Sequence, residues 1–563
     1  MSARVPAARH SFAFLTLIIL LAAAQADERK PSHAAIASAY PLATAAGMEI
    51  LDQGGNAFDA AIAVSAALAV VEPKASSLGA GGFFLLHRSS DGINVFVDAR
   101  EVAPLAATRD MFLDEAGQVV KGRSTSTALA AGIPGEVAGW GHLASRYGRL
   151  PLRQSLAPAI RIARQGFPLY AQLRDEIAAK RAQFEQTPDG RRTFLPRGDV
   201  PPIGYVLRLP DLARTLEMIS RDGVDIFYHG SFARKLVDGV RKLDGIWSLE
   251  DLARYHVIER KPLIGEYRGA RIVTAPPPSS GGIALIDGLN ILSGYELGKL
   301  DSVTRKHVII EALRRVHRDR AEYLGDPDFV DIPLDRLLSP YYAAGQRASI
   351  RLDRAMPSDM LPGYTSAAGG GRQTTHFSVL DRDGNRVAGT VTLNAWFGTA
   401  LMVTGTGVIL NNEMDDFAIK PGAPNMYQLV GADANAVAPR KRPLSSMTPT
   451  FIESDRGLMI LGSPGGSFIP TMVILGTLNW ISGASAADVV AAPRFHHQYQ
   501  PDAVFAEDGA FTGEERAALE QRGHSIRGWP ATIGNMQVIT WDYAGDQVDA
   551  ASDPRRAGGS LVK

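Results

Sequence analysis

The stretch that decides the fold is GGGRQTTHF, residues 369–377, where a glycine-rich run ends in two threonines and a strand-like segment. Glycine permits backbone conformations with positive φ, which suit a strained bond that is about to break. Cleavage between Gln373 and Thr374 would expose a threonine that carries both a hydroxyl and a free α-amine. An adjacent amine is one of the few groups that can activate a threonine hydroxyl. The stretch therefore predicts a chain that cuts itself before Thr374, although an ordinary loop before a strand has the same appearance.

Composition and charge exclude several classes of function. The 563 residues are 45% hydrophobic and 21% charged, which is typical of a globular protein. The formal net charge of zero gives no electrostatic reason to bind nucleic acid or an anionic membrane. The chain has no cysteine, so disulfides, thiolate metal sites and a cysteine nucleophile are excluded. We expect no metal or other cofactor, because His496 and His497 are adjacent and point apart, and no H-E-x-x-H motif occurs.

One basic run, RRVHRDR at residues 314–320, interleaves acidic and basic residues in a helix-like pattern. Such a pattern favours a solvated or ion-paired face of a helix over a site for an anionic partner.

The N-terminus resembles an export signal. Arg4 and Arg9 precede the apolar run 12–24, which is too short to span a bilayer comfortably. Ala24-Gln25-Ala26 then supplies a small-x-small cleavage site. We expect a signal peptide over residues 1–26, with an uncleaved anchor as the alternative. The mature protein is then periplasmic or secreted, without a membrane segment.

The periodicity predicts helices early in the chain and strands late. Two helices are expected within 34–72, with Asn56 as the N-cap of the second, and residues 136–340 are mainly helical. Polar, glycine-rich residues 353–373 form the best candidate for a linker. Strands are predicted at 83–87, 93–98, 377–380, 387–393, 458–461 and 537–541. This order suggests two packed sheets covered by helices, and the pattern alone supports α/β or α+β.

Two further segments have residues suited to catalysis or binding. SPGGS, residues 463–467, is a turn that can aim successive backbone N–H groups at one point, as an oxyanion hole requires. NNEMDD, residues 411–416, supplies carboxylates for a cationic group such as an α-amine, and Arg100 can bind a carboxylate through two hydrogen bonds. The ordinary interpretation of SPGGS is a turn that ends a strand, and that of NNEMDD is a charged loop.

Taken together, these segments resemble the γ-glutamyltransferase (γ-glutamyltranspeptidase) family of the N-terminal nucleophile hydrolase superfamily. The resemblance runs from about residue 35 to about residue 527, with the motifs in the family's order. The matching stretches are EILDQGGNAFDAAIA, VDAREVAP, PPPSSGGI, EYLGDPDF, QTTHFSV, NNEMDDF, KRPLSSM, GSPGGS and APRFHHQ.

The resemblance implies a fold and a set of roles. The fold is an α+β, four-layer αββα sandwich, built from a large subunit (27–373) and a small subunit (374–563) that form one compact heterodimer after self-cleavage at Gln373–Thr374. Thr374 is then the nucleophile, supported by Thr392. The remaining roles are the α-amino site (Asn394, Glu413, Asp416), the α-carboxylate site (Arg100, Ser445, Ser446), the oxyanion hole (Gly465, Gly466) and a lid loop (Tyr427).

The activity implied is cleavage of the γ-glutamyl amide of glutathione and related compounds through a γ-glutamyl-threonine ester. Water, or the amine of an amino acid or dipeptide, accepts the γ-glutamyl group. The chain departs from the family pattern at Ala80, where many members have glycine, and at Ala395-Trp396, which replace small polar residues. Trp396 puts the acceptor preference in question.

Two alternatives to this function remain. A cephalosporin (glutaryl) acylase shares the architecture, but its acyl group lacks an α-amine and does not need the acidic residues of NNEMDDF. A non-catalytic periplasmic binding protein would need the pocket but not the Gln373–Thr374 junction.

Overall fold

The computed structural model describes residues 29–361, 374–529 and 532–563. The expected signal peptide and Gln373 of the expected cleavage site lie outside the described residues. The strands, in chain order, are β1 (Ala35–Ser38), β2 (Gly81–Arg88), β3 (Ile93–Ala99), β4 (Phe167–Pro168), β5 (Val206–Leu207), β6 (Ile258–Arg260), β7 (Leu263–Tyr267), β8 (Ala270–Thr274), β9 (Thr375–Leu380), β10 (Arg386–Thr392), β11 (Met402–Val403), β12 (Val408–Ile409), β13 (Thr450–Ser454), β14 (Gly457–Gly462), β15 (Phe495–His496), β16 (Val504–Ala506), β17 (Ile526–Gly528), β18 (Gln537–Asp542), β19 (Gln547–Ser552) and β20 (Gly559–Val562).

The α-helices, in the same order, are α1 (Pro41–Asp52), α2 (Ala57–Val71), α3 (Arg123–Ser126), α4 (Glu136–Arg146), α5 (Leu152–Gln165), α6 (Ala171–Ala179), α7 (Arg181–Phe184), α8 (Pro188–Phe194), α9 (Pro210–Asp222), α10 (Asp225–Tyr228), α11 (Gly230–Arg241), α12 (Leu249–Ala253), α13 (Gly281–Leu292), α14 (Ser302–Tyr323), α15 (Leu334–Leu337), α16 (Pro340–Ala348), α17 (Ile469–Ile481), α18 (Ala486–Ala491) and α19 (Gly513–Gln521). Within the described ranges, no helix has both the length and the apolar character needed to cross a bilayer.

Two antiparallel sheets form the centre of the molecule. One has seven strands in the order β20-β1-β9-β10-β2-β3-β6, and the other has six in the order β19-β18-β14-β13-β8-β7. Strands β9 and β10 of the first sheet contact β14 of the second, and β9 also contacts β18. The two sheets therefore pack face to face, as in a sandwich.

Helices cover both sheets. Helix α2 is buried along its whole length and packs on β9 and β10. As predicted, Asn56 caps this helix, and its side chain accepts hydrogen bonds from the backbone N–H groups of Phe58 and Asp59. On the other sheet, α13 contacts β7 and α17 contacts β14. The result is the four-layer α+β sandwich that the resemblance implied.

Two sequence-based interpretations were wrong. Residues Ala35–Ser38 fall in the region expected to be helical but form strand β1, because they pair with β9 and β20 from the far end of the chain. The basic run 314–320 lies on α14 and is not solvated: Arg314 and Arg315 are only 2% and 1% exposed. Both of these arginines pair with Glu311, so the ion-paired half of that interpretation was right.

Strand pairing decides where Thr374 lies. Thr375 at the start of β9 is opposite Val391 near the end of β10, so Thr374 and Thr392 lie together at the same end of these two central strands. The two sheets approach closely near this end: a Cβ on Gly462 at the end of β14 would lie 2.2 Å from the His376 ring. The turn after β14 is thereby brought toward Thr374.

Candidate active site

Thr374 lies in a buried position directly before β9. Its hydroxyl donates a hydrogen bond to Thr392 Oγ1 over 3.4 Å, and the same Oγ1 accepts the backbone N–H of Asn394 at 2.8 Å. The φ of Thr374 is 139°, in a region that side chains other than glycine rarely adopt. The expected nucleophile thus combines an oriented hydroxyl with a strained backbone at the expected cleavage point.

His376 is the histidine nearest to Thr374 in the sequence, and its ring is buried in the protein core with both nitrogens close to hydroxyl groups. It is buried, with Nδ1 2.7 Å from Thr390 Oγ1 and Nε2 3.3 Å from Ser378 Oγ. Burial lowers the pKa of His376 to about 3. The ring is therefore neutral at physiological pH and is engaged away from the nucleophile.

Gly465 and Gly466 form the turn that leads into α17. Their φ angles are 144° and 56°, which favour glycine. A Cβ on Gly466 would lie 2.6 Å from the ring of Tyr427. Gly466 lines the cavity beside Thr374 and stands near the N-terminal end of a helix, where backbone N–H groups point outward and favour negative charge. Gly465 is not among the lining residues, and its predicted role as a donor stays a prediction.

Opposite charges meet in the cavity at Arg100. This side chain is 1% exposed, and its Nη2 lies 2.7 Å from Asp416 Oδ2 while its Nη1 bonds to Glu413 Oε1. Burial raises the pKa of both carboxyls, and Arg100 opposes that rise. The carboxylates in turn raise the pKa of Arg100 and outweigh the effect of its burial, so the guanidinium stays charged. The site thus holds one cation beside two acidic groups.

The loop that contains Ser445 and Ser446, here called the serine loop, is hydrogen-bonded to the segment before α13. Ser445 N–H donates to the carbonyl of Pro278, and the Ser445 carbonyl accepts from both the N–H and the hydroxyl of Ser280, each over 2.8 Å. The two segments lie so close that a Cβ on Gly281 would stand 2.0 Å from Thr448 Oγ1. This attachment places Ser445 and Ser446 on the cavity wall.

Tyr427 covers the cavity. Its hydroxyl donates to the carbonyl of Asn394 at 2.7 Å, and its own carbonyl accepts from Gln498 Nε2 at 3.0 Å. The cavity has a volume of only about 20 Å³, room for about one water molecule. A substrate can therefore enter only if Tyr427 or the charged side chains below it are displaced.

The structure brings almost all the residues predicted for the site to this one cavity. Its wall includes Arg100, Thr374, Thr392, Asn394, Glu413, Asp416, Tyr427, Ser445, Ser446 and Gly466. The side-chain N–H group of Asn394 donates to the carbonyl of Asn412 at 2.9 Å, and its predicted role at the α-amino end stays a prediction.

Sequence reasoning missed the residues that hold this wall together. Asn411 accepts the N–H of Glu413 and donates to the carbonyls of Gly79 and Gly132, which fixes the acidic segment. Asn412 accepts the N–H of Ala395 in the same way. Both lie inside the NNEMDDF motif, but nothing in a charged loop distinguishes a supporting amide from a ligand-binding one.

A threonine directly before a central strand of a two-sheet αββα sandwich defines the class of protein, the N-terminal nucleophile hydrolases. Comparison with known proteins gives the family: the model for gamma-glutamyltranspeptidase matches residues 43–562. The chain is 42% identical to the glutathione hydrolase proenzyme of Escherichia coli (strain K12), over 92% of this chain and 90% of that one.

Solved structures show the same fold. A cephalosporin acylase from Bacillus halodurans superposes with a TM-score of 0.83 at 28% identity, over 99% of each chain. The gamma-glutamyltranspeptidase of Helicobacter pylori gives a TM-score of 0.56 at 40% identity, over 58% of this chain and 94% of that chain. The chain belongs to the γ-glutamyltranspeptidase family and is an enzyme of γ-glutamyl transfer and hydrolysis.

Proposed function

We propose that this enzyme takes glutathione and related γ-glutamyl compounds as donors, and passes the γ-glutamyl group to water or to the amine of an amino acid or dipeptide. The observation that carries the choice of donor is the contact of Arg100 with Glu413 and Asp416 in the cavity that holds Thr374. A γ-glutamyl group ends in an α-carboxylate and an α-ammonium, and this cavity offers one arginine and two acids to that pair.

Maturation is the first chemical step of the proposal. Thr374 Oγ attacks the carbonyl carbon of Gln373, the C–N bond breaks, and the nitrogen takes up the hydroxyl proton to become an amine. Water then hydrolyses the resulting ester, which frees a carboxylate on Gln373 and restores the Thr374 hydroxyl. The large subunit 27–373 and the small subunit 374–563 stay together as a heterodimer. The φ of 139° at Thr374 supports this step, since strain at a bond favours its cleavage.

Catalysis uses the amine that maturation creates. Its reference pKa is about 7.7–8.0, so near neutral pH part of it is free to accept the proton of Oγ. The oxygen attacks the γ-carbonyl carbon, and the N–H groups of Gly465 and Gly466 stabilise the oxyanion. The amine returns the proton to the leaving nitrogen, which leaves a γ-glutamyl ester on Thr374. Water or an acceptor amine then attacks the ester and releases Thr374.

The charges in the cavity disfavour the acylase alternative. A glutaryl group has the carboxylate but no ammonium, so it would bind Arg100 and leave Glu413 and Asp416 buried without the counter-charge of Arg100. An unpaired buried carboxylate costs several kcal/mol, of the order of 3–5. Turnover of a γ-glutamyl anilide should therefore exceed turnover of the matching glutaryl anilide by a large factor. The reverse order would establish the acylase.

A denaturing gel separates the enzyme from a binding protein. The purified protein should run as two chains, and N-terminal sequencing of the smaller one should begin at Thr374. Thr374→Ala should stay a single chain, while Thr374→Ser should still be cleaved because serine offers the same kind of nucleophile. A single band from the unaltered chain, or a small subunit that begins elsewhere, would contradict the nucleophile assignment.

The N-terminal signal supports a periplasmic or secreted location, with residues 1–26 removed on export. Cell fractionation with mass spectrometry of the large subunit tests this: its first residue should be Asp27. A large subunit that retains residues 1–26 and stays with the membrane fraction would favour the uncleaved anchor.

A further inference from the structure

Arg320 is the arginine of the basic run on α14 that has no direct ion pair with any of the residues the structure describes. Elsewhere in the run Arg314 pairs with Glu311, and Arg318 with Asp319. Arg320 is only 5% exposed. Its single hydrogen bond to the described residues runs from Nε to Ser280 Oγ over 3.2 Å. A buried charge without a direct counter-ion is costly, so its position calls for a physical reason.

The charge of Arg320 acts on Asp416, which lies in the wall of the substrate cavity. Burial lowers the pKa of Arg320 to about 10, Asp416 opposes that fall, and Arg100 adds to it. In return, Arg320 lowers the pKa of Asp416, a group whose own burial favours the protonated form. The other charged or titratable groups that act on Asp416 or on which it acts are Arg100, Glu101, Glu413, Asp415 and Tyr427.

The hydrogen bond of Arg320 leads to the serine loop. Ser280 accepts from Arg320 Nε and donates its hydroxyl to the carbonyl of Ser445, which also accepts the Ser280 N–H. The guanidinium thus orients the hydroxyl that holds the Ser445 carbonyl. Arg320 reaches the acidic side of the cavity through its charge and the serine side through this contact.

We propose that Arg320 is a positioning residue for the γ-glutamyl donor: its contact with Ser280 holds the Ser445–Ser446 loop toward the α-carboxylate, and its buried positive charge compensates Asp416, the partner of the α-ammonium. The need arises on binding. When the donor's carboxylate occupies Arg100, that arginine neutralises Asp416 less, and the charge of Arg320 remains. This inference rests on the proposed function.

The test compares inhibition of processed enzyme by L-glutamate and by glutarate, which lacks only the α-amine. Arg320→Gln should raise the inhibition constant of L-glutamate severalfold at acidic pH and less near neutral pH, because loss of the positive charge raises the pKa of Asp416 and favours its protonated form. The acidic limb of kcat/KM for a γ-glutamyl anilide should move to higher pH. Glutarate does not use Asp416, so its inhibition constant should change less.

Two variants separate charge from contact. Arg320→Lys keeps the charge and should leave the acidic limb at its original pH. Ser280→Ala keeps Arg320 but breaks the contact, and should raise KM by a similar factor at every pH. Arg305→Gln makes the same chemical change at an exposed position of α14 and should alter the inhibition constant of neither compound.

If Arg320→Gln raised the inhibition constants of L-glutamate and glutarate by equal factors, the proposal would be overturned. An acidic limb of kcat/KM that stays at its original pH would overturn it as well. If Arg320→Gln does not mature into two chains, Arg320→Lys decides: a displaced limb in that variant refutes the charge role. Failure of the proposed function would look different, since the unaltered enzyme would then not turn over the γ-glutamyl anilide.

Discussion

Arg100 and Asp416 are bound to each other, with Nη2 2.7 Å from Oδ2, although the proposed substrate needs them for opposite ends of one amino acid. The charge of Arg100 is therefore compensated within the protein. A donor must replace this ion pair with its own carboxylate and ammonium, so its affinity is the difference between two sets of ionic contacts. Such an exchange favours a ligand that brings both charges and disfavours one that brings a single charge.

Asp416→Asn should lose most of the turnover of a γ-glutamyl anilide. The variant keeps the shape of the side chain but removes the counter-charge of the α-ammonium, at a cost of about 2–5 kcal/mol, or at least roughly thirtyfold in kcat/KM. Tyr427→Phe is the comparison, because it removes only the hydrogen bond to the Asn394 carbonyl, worth about 0.5–1.5 kcal/mol. Nearly unchanged turnover in Asp416→Asn would favour the acylase.

Gly466→Ala should abolish most activity through two effects at one position. The φ of 56° disfavours alanine, and the new Cβ would meet the Tyr427 ring at 2.6 Å. Either response, a rotated peptide or a displaced tyrosine, moves the N–H group that the oxyanion needs, and loss of one such donor costs about a hundredfold or more in kcat. Gly345→Ala in α16 is the control, since no atom of the described residues, apart from its chain neighbours and its own helix backbone, lies within 4 Å of its Cβ position. Full kcat in matured Gly466→Ala would exclude Gly466 as a donor.

Local signals in the sequence predicted local structure well. Asn56 begins a buried helix because its side chain can bond the first free N–H groups, and that information lies within four residues. Strand β1 was missed because its partners are Leu380 and Val562, hundreds of positions away. Propensity gives no account of such pairing.

The site shows the same division. Arg100 and Asp416 are 316 positions apart, and residue types alone did not place them together. Only the resemblance to a family linked them, through motifs taken in order. Arg320 escaped even that, because a basic run on a helix has the same pattern whether it is solvated or buried.

Asp287→Asn should stabilise the enzyme at alkaline pH. Burial, and then the charge of Asp319, raises the pKa of Asp287 well above its ordinary value. The folded state therefore binds this proton more tightly than the unfolded chain does, and the stabilisation is fully present only below about pH 4 and is lost as pH rises. Asparagine cannot ionise, so the variant should have a higher free energy of unfolding than the unaltered chain at pH 8 and a similar one near pH 4.

Chemical denaturation at several pH values measures that difference. Asp508→Asn, at an exposed position, should leave the pH dependence unchanged. An Asp287→Asn variant that is less stable than the unaltered chain at pH 8 would show that the ionised carboxylate is satisfied in the folded state.

The pH dependence of turnover identifies the base. If the Thr374 amine accepts the Oγ proton, activity should rise through an apparent pKa near about 7.7–8.0, as the ammonium loses its proton. His376 is only two residues from Thr374, but its pKa of about 3 means that it is already neutral throughout this range and gives no limb there. A histidine base would also act before cleavage, whereas the amine exists only after it. Matured His376→Gln and Thr374→Ser should therefore both keep the rising limb, and loss of the limb in a folded, two-chain His376 variant would refute the amine as the base.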